Sequence, residues 1–224
     1  RELSEVFPSR YVHLGGDEAG NPPLNCWTHC EKCDSLRRKL GITATDGSEN
    51  WRLQKHLFDR VIDTLRTRHG KTPMFWYETD FREIPEGCVT FAWRHGLTAA
   101  SGAAQENGRK IPPRPGEHCY LDEPAAPRDV PEVNWGMPVT SLEQTYRLDP
   151  AWGFGEDFEK HNLMGVAGTL WSECISSPER LYYMAYPRAM ALAEAGWSIP
   201  ANRSWESFRE RVRHQMRQHR LRRF

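Results

Sequence analysis

The sequence predicts an α/β fold in which parallel strands covered by helices close into a (β/α)8 TIM-type barrel. Three observations lead there. Short runs rich in β-branched and aromatic residues alternate with longer runs of helical periodicity. The strand-like runs are nearly continuously apolar, as strands covered on both faces must be. Four of the five runs end in acidic side chains, namely Asp17 and Glu18, Glu78, Asp122 and Glu173. Barrel active sites gather at such C-terminal strand ends. An open doubly wound sheet is the rival closure, but no Gly-rich dinucleotide or phosphate loop is present to support it. Five strands are too few for eight, so the others are expected to precede residue 1.

The five strand-like runs are YVHLGG (11–16), TPMFWYE (72–78), VTFAWR (89–94), EHCYLDE (117–123) and MGVAGTLWSE (164–173). Between them, Leu53, Leu57, Phe58, Val61, Ile62 and Leu65 recur at helical spacing over 49–69, with Gly70 as the C-cap. Ser177 and Pro178 read as an N-cap and a first-turn proline. That helix is expected to run to about Trp197, bent at Pro187. A last helix opens at Ser204 with Phe208, Val212 and Met216 on one face. Pro- and Gly-rich stretches before the fourth strand and over 124–163 read as long loops.

The 224 residues carry 30 basic and 30 acidic side chains, a net charge of +0. That balance argues against nucleic acid or an anionic membrane surface as partner. No run approaches the ~18 apolar residues of a membrane span. The chain opens with neither an initiator Met nor a leader pattern. The expectation is one domain over 1–224, the C-terminal portion of a barrel. Its N-terminal strands, and any accessory domain, would lie outside this chain.

Six cysteines are present. Cys26, Cys30 and Cys33 cluster around His29, and three readings compete there: a metal site, a disulfide or plain loop thiols. No second ligand pair is evident, so metal is the weaker reading. Cys88, Cys119 and Cys174 sit in or beside apolar runs and read as small buried hydrophobes.

The acidic strand ends have aromatic neighbours. Trp76, Trp93, Trp171 and Tyr120 lie beside them, and nine Trp are present in all. Aromatic walls with a few carboxylates suit a carbohydrate, whose ring has apolar C–H faces. Taken singly, each Trp fits a core equally well, and each strand-end acid fits a helix cap. Asp17 and Glu18 pose a further question. Neighbours in sequence cannot flank a scissile bond as the two carboxyls of most glycosidases do.

HLGGDE (13–18) resembles the H-x-G-G-D-E motif of glycoside hydrolase family 20, the β-N-acetylhexosaminidases. FWYE, FAWR, CYLD, NWG and GTLWSE follow in the family's order. The resemblance runs over essentially the whole chain and implies strands 4 to 8 of the family's barrel. It implies Glu18 as general acid/base and Asp17 as the group that orients the substrate's 2-acetamido group. Tyr120 would donate a hydrogen bond to the acetamido carbonyl. Trp76, Trp93 and Trp171 would wall the pocket, Trp135 would stand on the aglycone side, and Asp122 and Glu173 would bind sugar hydroxyls. The acetamide itself would be the nucleophile, which resolves the puzzle of the adjacent acids.

His13 reads as structural, with orientation of the acids as the alternative, and Arg94 and Glu78 as a pair in the barrel interior. Gly15 and Gly16 read as room for the sugar to approach the backbone. No cofactor is implied. The implied partners are an N-acetylhexosamine-containing glycan and the rest of the same barrel. The location expected is secreted, periplasmic or cell-surface.

The chain departs from the family pattern at Tyr77, where an Asp is common. The family's sugar-binding Arg belongs to a first strand that this sequence does not contain, and family members usually run on past the position of Phe224. Two other functions compete with this one: a retaining glycosidase in which Glu173 or Glu78 is a true nucleophile, and a non-catalytic sugar-binding barrel. Nucleic-acid binding by the Arg-rich C-terminal run is a weaker third.

Overall fold

The computed structural model describes residues 2–19, 26–43, 49–77, 85–93, 116–129, 138–150 and 163–221. The chain divides into two compact units, and among the described residues the division falls between Ala92 and Trp93.

The first unit contains helix α1 (Glu2–Val6), strand β1 (Tyr11–His13), helices α2 (Glu31–Leu40) and α3 (Glu49–His69), and strands β2 (Thr72–Tyr77) and β3 (Val89–Ala92). The strands form one parallel sheet in the order β1-β2-β3. Tyr11 pairs with Thr72 and His13 with Met74, and Met74 pairs in turn with Val89 and Trp76 with Phe91. Parallel neighbours need a crossover, and α3 supplies the one from β1 to β2.

Alternation along β2 sorts its side chains between two faces. Pro73 and Phe75 are buried. Phe75 packs on α3, its ring centroid 5.5 Å from that of Phe58. Trp51, Ile62 and Cys88 complete this cluster, with Leu14 against it. Trp76 points the other way and meets the rings of His13 at 4.8 Å and Phe91 at 5.3 Å.

Helix α3 has the bounds its periodicity predicts, and Gly70 ends it at φ 59°. Its buried stripe differs from the expected one: Trp51 and Gln54 join it, Val61 is half-buried, and Leu57 is 55% exposed. Helix α2 is not anticipated by the sequence reading. Its signals are local: Gly41 at φ 65° closes it, after three basic residues in the last turn.

The second unit contains the short helix α4 (Gly116–Cys119), α5 (Leu142–Tyr146), α6 (Pro178–Ala185), α7 (Arg188–Trp197) and α8 (Trp205–Leu221). Ser177 caps α6, its Oγ accepting from the N–H of Arg180 at 3.1 Å, as expected. The long helix expected over 178–197 is two helices. Tyr186 is extended (φ −108°, ψ 138°) and the Tyr186–Pro187 bond is cis. A proline lacks the N–H and drives the residue before it out of helical geometry. One core joins α7 to Cys119, Leu148 and Val166. Another joins Tyr146, Ala191, Phe208 and Val212, with Met216 against it. Ser204 caps α8 as expected, accepting from the N–H of Ser207 at 3.3 Å.

Two expected strands are not strands. Residues 116–119 form α4, and Tyr120 then makes a single parallel bridge with Thr169. The N–H of Leu121 donates to the carbonyl of Thr169 at 2.8 Å, and that of Thr169 to the carbonyl of Cys119 at 2.9 Å. The pairing goes no further for a local reason. Arg188 takes the carbonyls of Leu121 and Glu123, and Pro124 has no N–H to offer.

Candidate active site

In the first unit the acid pair lies on the turn that leaves β1. Gly15 and Gly16 have φ of 70° and 99°, and Glu18 has φ of 53°. A left-handed Glu is uncommon and persists only where its surroundings hold it. Four contacts hold this turn. The N–H of Leu14 donates to the carbonyl of Met74 at 2.8 Å, and that of Trp76 to the carbonyl of Gly15 at 3.1 Å. Gln54 donates from Nε2 to the carbonyl of Gly16 at 2.7 Å. The N–H of Gly15 donates to His13 Nδ1 at 3.0 Å, which puts the proton of a neutral ring on Nε2.

The glycines therefore do not share one role. A Cβ on Gly16 would lie 2.5 Å from Cζ of Phe58, so this glycine lets α3 close against the turn. The expectation of room for a sugar at both positions fails at Gly16. A Cβ on Gly15 would meet only Asp17 Oδ1, at 3.9 Å. Asp17 is half-buried and Glu18 is exposed. Both follow the C-terminal end of a parallel strand, with Trp76 beside the turn on β2.

In the second unit the Tyr120–Thr169 bridge brings the YLD and LWSE segments together. Tyr120 is buried, Trp171 is 40% exposed, and Glu173 is exposed. Burial pushes the Asp122 carboxyl up to about 6. Its own backbone N–H and that of Trp171 pull the other way, the charge of Glu173 adds to the rise and Arg188 opposes it. Asp122 Oδ1 is buried with no hydrogen-bond partner among the described residues. An orphaned carboxylate oxygen is costly alone and suits a ligand hydroxyl.

Trp93, directly after β3, is half-buried. Trp135, Glu78 and Arg94 lie outside the described residues. Cys30 and Cys33 carry thiols, not a disulfide. The backbone N–H and the thiol of Cys33 hold the Cys30 pKa below the usual thiol value. The side chain of Cys26 lies outside the described residues, and among those no group of three or more His, Cys, Asp or Glu is placed to hold a metal. Cys88 and Cys119 are buried as expected, whereas Cys174 is only half-buried.

Sequence reasoning passed over Gln54 and Arg188 and read Phe58 only as part of the α3 stripe, yet these three hold the two site segments. Arg188 had a readable signal: it is a lone charge at the head of the Ala-rich run PRAMALA.

A parallel sheet backed by helices, with acids on the turn after a strand end, fits a TIM-barrel-type catalytic domain. The chain belongs to glycosyl hydrolase family 20: the model of that family's catalytic domain matches residues 1–200. A β-hexosaminidase of Akkermansia muciniphila is 38% identical over 213 residues, 94% of this chain and 41% of that protein. The human β-hexosaminidase subunit beta is 26% identical, over 97% of this chain and 36% of its own length. Among solved structures, a β-N-acetylhexosaminidase superposes with TM-score 0.81 at 39% identity, covering 100% of this chain and 45% of that one. An exo-β-N-acetylglucosaminidase of Vibrio harveyi, in complex with N-acetylglucosamine, superposes with TM-score 0.75 at 28% identity, covering 96% of this chain and 32% of that one. The chain thus spans less than half the length of these relatives.

Proposed function

We propose that the chain is the part of a β-N-acetylhexosaminidase that carries the acid pair. It would supply the part of the barrel that the resemblance assigns to strands 4 to 8, and the whole enzyme would release terminal non-reducing N-acetyl-β-hexosamine from glycans. The observation that carries this reading is the placement of Asp17 and Glu18 as neighbours on one held turn, with Glu18 at φ 53°. Such neighbours serve a reaction in which the substrate brings its own nucleophile.

The 2-acetamido oxygen attacks the anomeric carbon while Glu18 protonates the departing glycosidic oxygen. The bond to the aglycone breaks, and an oxazolinium ion forms. Asp17 accepts the acetamido N–H, aims the oxygen and balances the positive charge. Glu18, now a carboxylate, takes a proton from the water that opens the ring, so configuration is retained. Tyr120 donates to the acetamido oxygen, the Trp side chains wall the sugar, and Asp122 and Glu173 take its hydroxyls.

The test uses the full-length protein with 4-nitrophenyl N-acetyl-β-glucosaminide and its galactosamine analogue. Glu18→Gln should lower kcat about 10³-fold. Asp17→Asn should lower it while the protein stays folded, and a thiazoline mimic of the oxazoline should inhibit. Turnover of a 2-hydroxy glycoside as fast as the 2-acetamido one, with no thiazoline inhibition, would point to a protein nucleophile instead. A glycan substrate also makes a secreted, periplasmic or cell-surface location part of the proposal. Fractionation of the source cells checks that, and recovery in the cytosol alone would reject it.

A further inference from the structure

Arg188 is 1% exposed, and among the described residues its hydrogen bonds go to backbone carbonyls rather than to a carboxylate. Its Nη1 donates to the carbonyls of Glu123 at 2.9 Å and Thr140 at 3.0 Å. Its Nη2 donates to the carbonyls of Leu121 at 2.6 Å and Met184 at 2.8 Å. Two of these four carbonyls flank Asp122 in the chain. The other two tie the same segment to residue 140 and to α6. The Glu123 carboxylate accepts from the Thr140 hydroxyl and closes the same loop from the other side.

We propose that Arg188 is a positioning residue for Asp122: its guanidinium clamps the backbone on both sides of Asp122 and so aims the orphaned Oδ1 at a sugar hydroxyl. The inference rests on the hexosaminidase reading of Asp122. Only a guanidinium has the planar fork that reaches four carbonyls from one side chain; a lysine ammonium is a point charge with three donors. The clamp also has an electrostatic side. The charge of Arg188 opposes the rise that burial and Glu173 impose on the Asp122 carboxyl. Around Arg188 itself stand Glu123, Asp122, Asp129 and Tyr183, and burial holds its guanidinium down to about 10.

Clamp and charge are separated by two variants of the full-length protein, Arg188→Lys and Arg188→Met, assayed on 4-nitrophenyl N-acetyl-β-glucosaminide from acid to neutral pH. Both should raise KM about tenfold or more, with kcat less affected, because a misaimed Asp122 loses a hydrogen bond to the bound sugar. The acid limb of kcat/KM should move to higher pH in Arg188→Met, which removes the charge, and stay in place in Arg188→Lys. In an Asp122→Asn background, Arg188→Met should add little further loss. Full additivity would overturn the proposal. So would a lower melting temperature with KM and the acid limb unchanged, or refusal of both variants to fold, since Arg188 would then be structural only. An inactive wild-type protein would instead reject the hexosaminidase reading. An active wild-type with an unaffected Asp122→Asn would reject the role of Asp122.

Discussion

The two units hold their candidate site residues by different means. In the first, a parallel ladder carries His13 and Trp76, and its backbone hydrogen bonds continue past β1 to Gly15. In the second, the segments bearing Tyr120 and Trp171 meet at one bridge, and side chains do the rest. Arg188 takes four carbonyls. Arg203 takes those of Tyr146 at 3.1 Å and Leu148 at 2.8 Å, at the C-terminal end of α5. A ladder spreads its hold over many bonds that no side-chain substitution short of proline removes. A guanidinium clamp concentrates the hold in one replaceable residue. The first unit should therefore be most sensitive where backbone space is scarce, and the second where a charged donor is lost.

The largest expected effect is Gly16→Ala. A φ of 99° and a Cβ 2.5 Å from the Phe58 ring combine there, for a cost of about 3 kcal/mol or more. Denaturant unfolding of the full-length protein measures it. Adding Phe58→Leu should recover the packing part and leave the backbone part. Equal losses in both backgrounds would mean that α3 does not press on this turn.

Arg203→Met comes next. Two carbonyls lose a charged donor, so about 2 kcal/mol is expected. A loss as small as that of a typical surface substitution would show that the second unit does not depend on its arginine clamps.

The smallest effect is a pH dependence at Asp122. Its folded pKa of about 6 lies above the unfolded value of 3.8. Between these values the folded state holds the extra proton, so stability falls as pH rises through that window and then levels off. Asp122→Asn should remove this component from the pH profile of the melting temperature. An unchanged profile would mean that Asp122 does not sense burial.

The sequence revealed local features in both units. Helix α3 and the Ser177 and Ser204 caps were legible, because each is written in a few neighbouring residues, and Pro187 marked the right place but was expected to bend one helix where the structure has two. Strands β1 to β3 were legible from apolar runs bounded by turn residues. The strand-like runs at 117–123 and 164–173 misled. Apolar alternation states that a segment suits a sheet, not that a partner's N–H and C=O groups are in reach. Leu57 misled at finer scale, since periodicity marks a stripe without fixing its edges.

The acids in HLGGDE, the aromatic residues beside the strand ends and the family itself were set by the sequence, because identity and order of residues are local properties of the chain. That Gly16 serves Phe58, that His13 accepts from Gly15, and that Arg188 holds the backbone around Asp122 were decided only by the tertiary structure. Gly16 and Arg188 meet partners tens of residues away in the chain, whereas His13 and Gly15 share one turn whose shape the neighbouring strand and helix hold. Which carbonyl a buried donor meets is settled by packing, on which residue spacing is silent.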